Sequence, residues 1–428
     1  MIPARPKIRP EIDAAPFRRG GREMYVLHDP TALAPGQLAV SPLVVWLAAR
    51  LDGTASLLDL HDRLAAEAGD GTPPLSELAQ ALEAMDEALF LEGPRFDDWL
   101  QRQRNAFDAS PLRAAASAGQ AYPEDPDELG RLLDRMLAEA PPDEAEEAAR
   151  TGGASGTPGA TAAPWAAVAP HIDYARGGAG YGQLYRALSA RRAPQAVVVL
   201  GVSHAPMEGA VCLCPKDYAV PGGAVAADPE RLALLAEAGR RAGHDWTAQA
   251  FTHRSEHSVE LQAVWLRHVW PGTPLVPALA APLPPPDGAG GGAADRAADR
   301  QEREAFARAL AGLLSPAGRV MLLASVDLAH VGPRFGGRRP VSEPFLAEVE
   351  AADRGYLARL SEGGGVQAGQ AIHDAGNPHH LCGLGALDLL ARTLRLARGA
   401  APGRLLGYHQ AATPGLGQAV TFAAMVFG

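Results

Sequence analysis

Three strand-like apolar runs in this chain each end on a segment bearing a histidine or an aspartate, and no other feature constrains the fold as much. Residues 165–169 lead to Pro170-His171-Ile172-Asp173, residues 196–202 lead to Ser203-His204, and residues 320–325 lead to Asp327-Leu328-Ala329-His330. From residue 165 onward such runs alternate with helix candidates at 182–190, 228–242, 259–269, 300–314, 344–360 and 381–396, and two closing strands follow at 404–408 and 419–427. That alternation predicts an α/β fold with helices flanking a sheet. Open α/β sheets bind ligands outside the carboxyl ends of their strands. Imidazoles and a carboxylate at that rim, with the late Cys382 added, are donors that a transition metal takes.

The chain has 428 residues, long for one ordinary core, so two domains are expected. A net charge of −10 leaves no basic excess to face phosphates and argues against nucleic acid as a partner. Three cysteines, two of them close together, make no disulfide framework and point to a reducing, cytoplasmic compartment. Met1-Ile2-Pro3-Ala4-Arg5 lacks the apolar run of a signal peptide. No unbroken apolar stretch is long enough to predict a membrane span.

Residues 1–25 carry six basic side chains and little periodicity, and read as an arm. Three helices follow. The first, at 41–51, has Ser41 as N-cap and Pro42 at its first position. The second, at 56–68, carries Leu57, Leu58, Leu60 and Leu64 and stops at Gly69. The third, at 76–87, places Leu78, Leu82 and Met85 inside. Leu89-Phe90-Leu91, Gly93-Pro94 and Phe96 suggest a small hairpin, so residues 1–100 predict a winged-helix-like α+β module ahead of a main domain at 101–428. The module resembles PqqD-like peptide-recognition domains through Leu27-His28-Asp29-Pro30, Leu51-Asp52-Gly53-Thr54 and Leu89-Phe90-Leu91-Glu92, which implies a peptide or protein ligand. A helical cap serving only the main domain is the plainer alternative. DNA binding is disfavoured, because 76–87 holds Glu77, Glu83, Asp86 and Glu87 and no Lys or Arg. Residues 98–120 read as charged and helical, 123–140 as a helix with acids at its positive end, 141–163 as a flexible exposed loop, and 282–294 as a Pro/Gly surface insertion.

A lone histidine is ordinarily a core residue with a satisfied hydrogen bond. That reading weakens for His171, because His204 ends the next strand in the same way. Neighbouring parallel strands lie about 4.8 Å apart, close enough for two rim imidazoles to share one ion. Arg176, ahead of Gly177-Gly178, is placed to hold a carboxylate or phosphate. Asp327 and His330 are three apart and share a face if the chain turns helical there, giving an acid that holds a histidine's tautomer. The alternative is a capping Asp and a surface His. Glu256-His257-Ser258-Val259-Glu260 starts a helix, and His257 reads as orienting the rim or touching metal, with Glu256 beside it. Cys382 opens a helix, where a thiol shifts toward thiolate; a buried structural cysteine is the alternative. Cys212 and Cys214 share one face of a strand and read as core filler. No G-x-S-x-G, H-E-x-x-H, Walker loop or G-x-G-x-x-G after a strand occurs.

Taken together these segments resemble the Memo family, in the bacterial form called AmmeMemoRadiSam system protein B. The stretches carrying the resemblance are Ala118-Gly119-Gln120-Ala121-Tyr122-Pro123, Pro170-His171-Ile172-Asp173-Tyr174 with Arg176-Gly177-Gly178, Gly201-Val202-Ser203-His204, Glu256-His257-Ser258-Val259-Glu260, Ser325-Val326-Asp327-Leu328-Ala329-His330, and Cys382-Gly383. The resemblance implies a LigB-like sheet, the fold of class III extradiol dioxygenases. It implies metal ligands His171, His204 and Cys382, with Asp327 and His330 lining the same pocket as catalytic residues. It implies Asp173 as an added carboxylate near the metal. It also implies iron or copper, with zinc as a third metal, and as partners a radical-SAM protein and an AMMECR-type protein. A cysteine where dioxygenases of this fold use a carboxylate puts ring cleavage in doubt. The expected function is a mononuclear metal-dependent oxidoreductase; a non-catalytic metal-binding scaffold that recruits a peptide through its N-terminal module is the alternative, and a zinc hydrolase a third reading.

Overall fold

The structure, a computed structural model, describes residues 2–31, 33–150, 164–285, 292–314, 320–398 and 402–428. The chain divides into two compact units, Met1–Ser110 and Pro111–Gly428.

The first unit carries the three expected helices, Pro42–Ala48, Leu57–Ala68 and Leu75–Glu87. Leu47, Leu60, Leu64, Leu78, Leu82 and Met85 bury together with Leu27, Leu51 and Phe90. Ser56 and Asp59 form a reciprocal capping box at the second helix. The residues read as an arm are instead largely strand. Asp13–Arg19 and Arg22–His28 form a hairpin turned by Gly20-Gly21, both at positive φ, and Gln37–Val40 adds a third antiparallel strand. The hairpin expected at 89–96 does not form. Leu91–Glu92 pairs with Lys7–Ile8, and Gly93-Pro94 begins the helix Pro94–Ala109 rather than a turn. This helix ties itself to the first unit through Trp99 Nε1 donating to the Leu33 carbonyl (2.9 Å) and Arg95 pairing with Asp86 (2.8 Å). The division therefore falls after Ser110 rather than near residue 100. Asp29 of the Leu-x-Asp-Pro segment is buried, accepts from the Thr31 and Ala34 amides, and pairs with Arg9 at 2.8 Å.

The second unit is built on an eight-stranded mixed sheet. Its strands are β1 (Ala166–Ala169), β2 (Ala196–Val202), β3 (Val211–Leu213), β4 (Leu275–Ala280), β5 (Val320–Ser325), β6 (His330–Val331), β7 (Gly403–Thr413) and β8 (Gln418–Phe427). The order is β6-β8-β1-β5-β2-β4-β3, with β7 pairing on β8. Strands β1, β5, β2 and β4 are parallel, while β8 and β3 close the set antiparallel. Every residue of the four parallel strands is buried, which is why they read as unbroken apolar runs instead of alternating. The helices that matter for the rim are α1 (Pro126–Ala138), α2 (Tyr174–Ser189), α3 (Pro229–Arg241), α4 (His257–Val269), α5 (Ala293–Leu313), α6 (Glu343–Ser361), α7 (Gly365–Asp374) and α8 (Leu384–Arg398). Both α4 and α8 contact β2, β4 and β5.

Two sequence expectations shift here. The loop expected at 141–163 begins with the short helix Glu144–Arg150, and its residues 151–163 lie outside the described residues. Residues 286–291 of the Pro/Gly insertion also lie outside them, and α5 starts at Ala293, earlier than its periodicity suggested. Cys212 and Cys214 are fully buried in the core, as filler.

Candidate metal centre

The strand order changes how the histidines meet. His171 follows β1 and His204 follows β2, but β5 lies between those strands, so they are not the neighbours that the sequence suggested. Two strand spacings separate them, about 10 Å. The loops beyond the strand ends close that gap. The two rings stand 5.2 Å apart, edge to face, above the end of the strand that supplies Asp327. His257, the first residue of α4, joins them at 5.2 Å from His171 and 4.7 Å from His204. One ring nitrogen from each of the three lies within 4.8 Å of the other two.

Cys382 sits just before α8, not inside it, and places its Sγ 3.4 Å from His171 Nε2. Burial alone would push this thiol up, but His171 and His330 outweigh it and hold the thiol well below its ordinary value. Burial alone would lower the His171 imidazole. Asp327 and Cys382 outweigh that and hold it at about 9. The pair is thus a thiolate against an imidazolium when no metal competes for either.

Each imidazole is oriented from behind. His171 Nδ1 bonds the Ser325 carbonyl at 3.0 Å, which leaves Nε2 facing the cluster. His204 Nδ1 lies 3.0 and 3.1 Å from the two oxygens of Glu256. The same buried carboxylate accepts the backbone amides of His204 (3.0 Å) and Ser258 (2.9 Å), and it lies 3.4 Å from His257 Nδ1. Glu256 is the N-cap of α4, so one side chain caps the helix and faces two imidazoles. Burial pushes His257 down to about 3, which keeps it neutral and able to donate a lone pair.

Asp327 and His330 do not share a helical face. Residues 326–329 are irregular, and His330 opens β6, paired with Val420 of β8. Asp327 instead clamps the His171 segment: its Oδ1 accepts the amides of His171 (2.9 Å) and Ile172 (3.2 Å), and its Oδ2 lies 3.7 Å from His171 Nε2. His330 Nδ1 faces the Leu328 carbonyl at 3.3 Å, and its ring meets Phe335 edge-on at 5.1 Å. Cys382 and Asp327 outweigh burial and raise its imidazole above the ordinary value. Asp173 and Arg176 are used by each other. Asp173 caps α2 by accepting the Arg176 amide (3.0 Å), and its carboxylate binds both Nε and a terminal nitrogen of the same arginine (2.6 Å each).

Sequence reasoning missed the anchor of the rim. Arg113 and Glu260 form an ion pair with both side chains fully buried. Arg113 also donates to the carbonyls of His253 (2.8 Å), Ala114 (2.8 Å) and Glu256 (2.5 Å). Glu260 also accepts the amides of Ala116 (2.9 Å) and Ser117 (2.8 Å) and the Tyr122 hydroxyl. Residues 113–122, which include most of the Ala-Gly-Gln-Ala-Tyr-Pro stretch, are thereby strapped to α4. That helix is stitched in turn to the strand ends. Ser258 Oγ exchanges bonds with the Val202 amide and carbonyl, and Gln262 Nε2 donates to the Pro170 carbonyl and to Ser325 Oγ, both at 2.7 Å. Gly201 permits this approach, since a Cβ there would stand 2.4 Å from Ser258 Oγ. Glu260 stood in the sequence only as the last residue of a helix-start stretch; its partner lies 147 residues away.

The donor set fits a transition metal. Three imidazole nitrogens and a thiolate converge from three loops and the start of α4, and the far sides of His171 and His204 are held by a carbonyl and a carboxylate. The Memo-like protein family matches residues 113–426. A MEMO1 family protein of Aquifex aeolicus is 25% identical over 426 residues, covering 99% of this chain and all of its own. A MEMO1 family protein of Thermus thermophilus is 27% identical over 327 residues, 76% of this chain and 86% of its own. A solved structure of an uncharacterized Escherichia coli K12 protein aligns over 61% of this chain and 99% of its own at 18% identity, with a TM-score of 0.36, too slight a likeness to argue from. With the match spanning nearly all of the second unit and every histidine of the rim, the chain belongs to the Memo family.

Proposed function

We propose that this chain is a mononuclear metal-dependent oxidoreductase whose ion is held by His171, His204 and Cys382, with His257 as a further imidazole donor. The observation that carries the reading is the convergence of three ring nitrogens within 4.8 Å, with the Cys382 sulfur 3.4 Å from one of them. Mixed imidazole and thiolate donors suit iron and copper, and also zinc. When bound, such an ion supplies a Lewis-acidic centre, redox-active if iron or copper.

The remaining chemistry belongs to the chain. Asp327 holds the His171 backbone, and Ser325 and Glu256 fix which nitrogens face inward. His330 is proposed to move a proton at the nitrogen opposite its Leu328 contact, because it stands beside Cys382 without a place in the three-imidazole cluster. Asp173 and Arg176, paired with each other, form a charged group after β1 that a polar substrate would have to open.

The test is metal analysis of anaerobically purified protein and its single variants. The wild type is expected to carry about one ion per chain, and His171→Ala and His204→Ala to lose it. Cys382→Ala should abolish any thiolate-to-metal absorption. His330→Ala should keep the ion and lose turnover. If His171→Ala and Cys382→Ala both retain full metal content, the assignment is wrong.

A further inference from the structure

The loop carrying Asp327 and His330 hangs between two partners. On one side it bonds β8: the Leu328 amide donates to the Thr421 carbonyl (2.7 Å) and the Thr421 amide to the Ala329 carbonyl (2.9 Å). On the other side it bonds the turn before α8: the His330 amide donates to the His379 carbonyl (2.9 Å) and the Cys382 amide to the Leu328 carbonyl (3.3 Å). The backbone of Cys382 therefore hangs on the same loop as His330.

A third bond on the β8 side comes from a side chain. The Ala329 amide donates to Thr421 Oγ1 at 2.8 Å. Thr421 is fully buried, and it is the only polar residue of β8 after Gln418. Its hydroxyl has one proton, and that proton goes to Asp353 Oδ2 on α6 at 2.5 Å, leaving the lone pairs for Ala329. Asp353 is 1% exposed, and the same oxygen also accepts the Tyr408 hydroxyl at 2.9 Å. A strand that needed only its ladder here would take valine, with no carboxylate to bury. A buried acid that costs solvation and accepts from both hydroxyls fixes their directions, and for Thr421 that direction turns the lone pairs toward Ala329.

We propose that Asp353 and Thr421 are positioning residues of the metal centre, which lock the Leu328–His330 loop from behind and so set where Asp327, His330 and Cys382 stand against His171. This rests on the metal-centre reading only for its consequence; the lock itself can be observed without metal.

The experiment compares Thr421→Val, which keeps the shape and removes the hydroxyl, with Thr421→Ser, which restores it. In metal-free protein, the imidazole Cε1–H signals of His171 and His330 are expected to move or broaden in the valine variant and to return in the serine variant. With Co(II) as probe, Thr421→Val should still bind but about tenfold more weakly, with a weaker thiolate-to-cobalt band, and Thr421→Ser should match the wild type. If Thr421→Val does not fold, Thr421→Ala takes its place with the same expectations. Wild-type imidazole signals in a folded hydroxyl-less variant would overturn the proposal, as would a serine variant that fails to restore them. A wild-type protein that binds no Co(II) would sink the metal reading instead, and the metal-free signals would still decide the lock.

Discussion

Replacing Glu256 by glutamine should weaken metal binding by roughly 10- to 100-fold, or about 1.4–2.8 kcal/mol. The carboxylate accepts the His204 amide at 3.0 Å, His204 Nδ1 at 3.0 and 3.1 Å, and the Ser258 amide at 2.9 Å. Glutamine keeps the volume and one acceptor oxygen, so α4 retains a cap. Its amide nitrogen, however, must face a group that now donates. The softest of these is His204 Nδ1, because an imidazole can move its proton to the other nitrogen whereas a backbone amide cannot. A proton on His204 Nε2 points at the ion and must leave before the metal binds. His257 loses a second orienting contact, since the same carboxylate lies 3.4 Å from its Nδ1. The effect should stay below that of deleting a ligand, because all donors remain in place. The assay is competition of metal-free protein with a chromophoric chelator for Zn(II), read beside ¹⁵N shifts of the His204 ring. Affinity within about twofold of wild type, with the ring still protonated at Nδ1, would refute the reasoning.

Two further outcomes follow from buried charge. Arg113→Met should destabilise the protein by about 3–5 kcal/mol in urea unfolding, because it leaves Glu260 charged, fully buried and short of its partner; a loss under about 1 kcal/mol would mean that Tyr122 and the backbone amides suffice. Asp353 has the opposite sign from most acids. Burial raises it from 3.8 to about 6, so ionisation above pH 6 opposes folding, whereas well below pH 3.8 both states are protonated and the penalty vanishes. Asp353→Asn should therefore gain on the wild type by about 2.4 kcal/mol between pH 4 and pH 7.5, and a stability difference that does not vary with pH would count against it.

What could be read from the sequence was local, and what could not was the pairing between distant pieces. The four parallel strands are buried end to end, so their apolar runs and the polar residues just beyond them stood out, and His171, His204 and Asp327 lie at the rim for that reason. The hairpin at Gly20-Gly21 was overlooked because its strands are only partly buried and lack an alternating apolar face, although two glycines between two short runs are a turn signal in themselves. Asp327 and His330 were read on helical spacing; the competing β6 pairing to Val420 depends on a strand 90 residues downstream. Strand order has the largest functional consequence. Had β1 and β2 been neighbours, His171 and His204 could have met over their own strand ends with nothing beneath. With β5 between them, the two loops must lean over it, and the space under the imidazoles is filled by Asp327 bonded to the His171 backbone. The start of α4 is stitched to the ends of β2 and β5 by Ser258 and Gln262, and this brings His257 into the same cluster. A residue that reads as a helix-start histidine thus becomes a third imidazole only through the sheet order, and that order is carried by long-range pairings with no signature at the histidine itself.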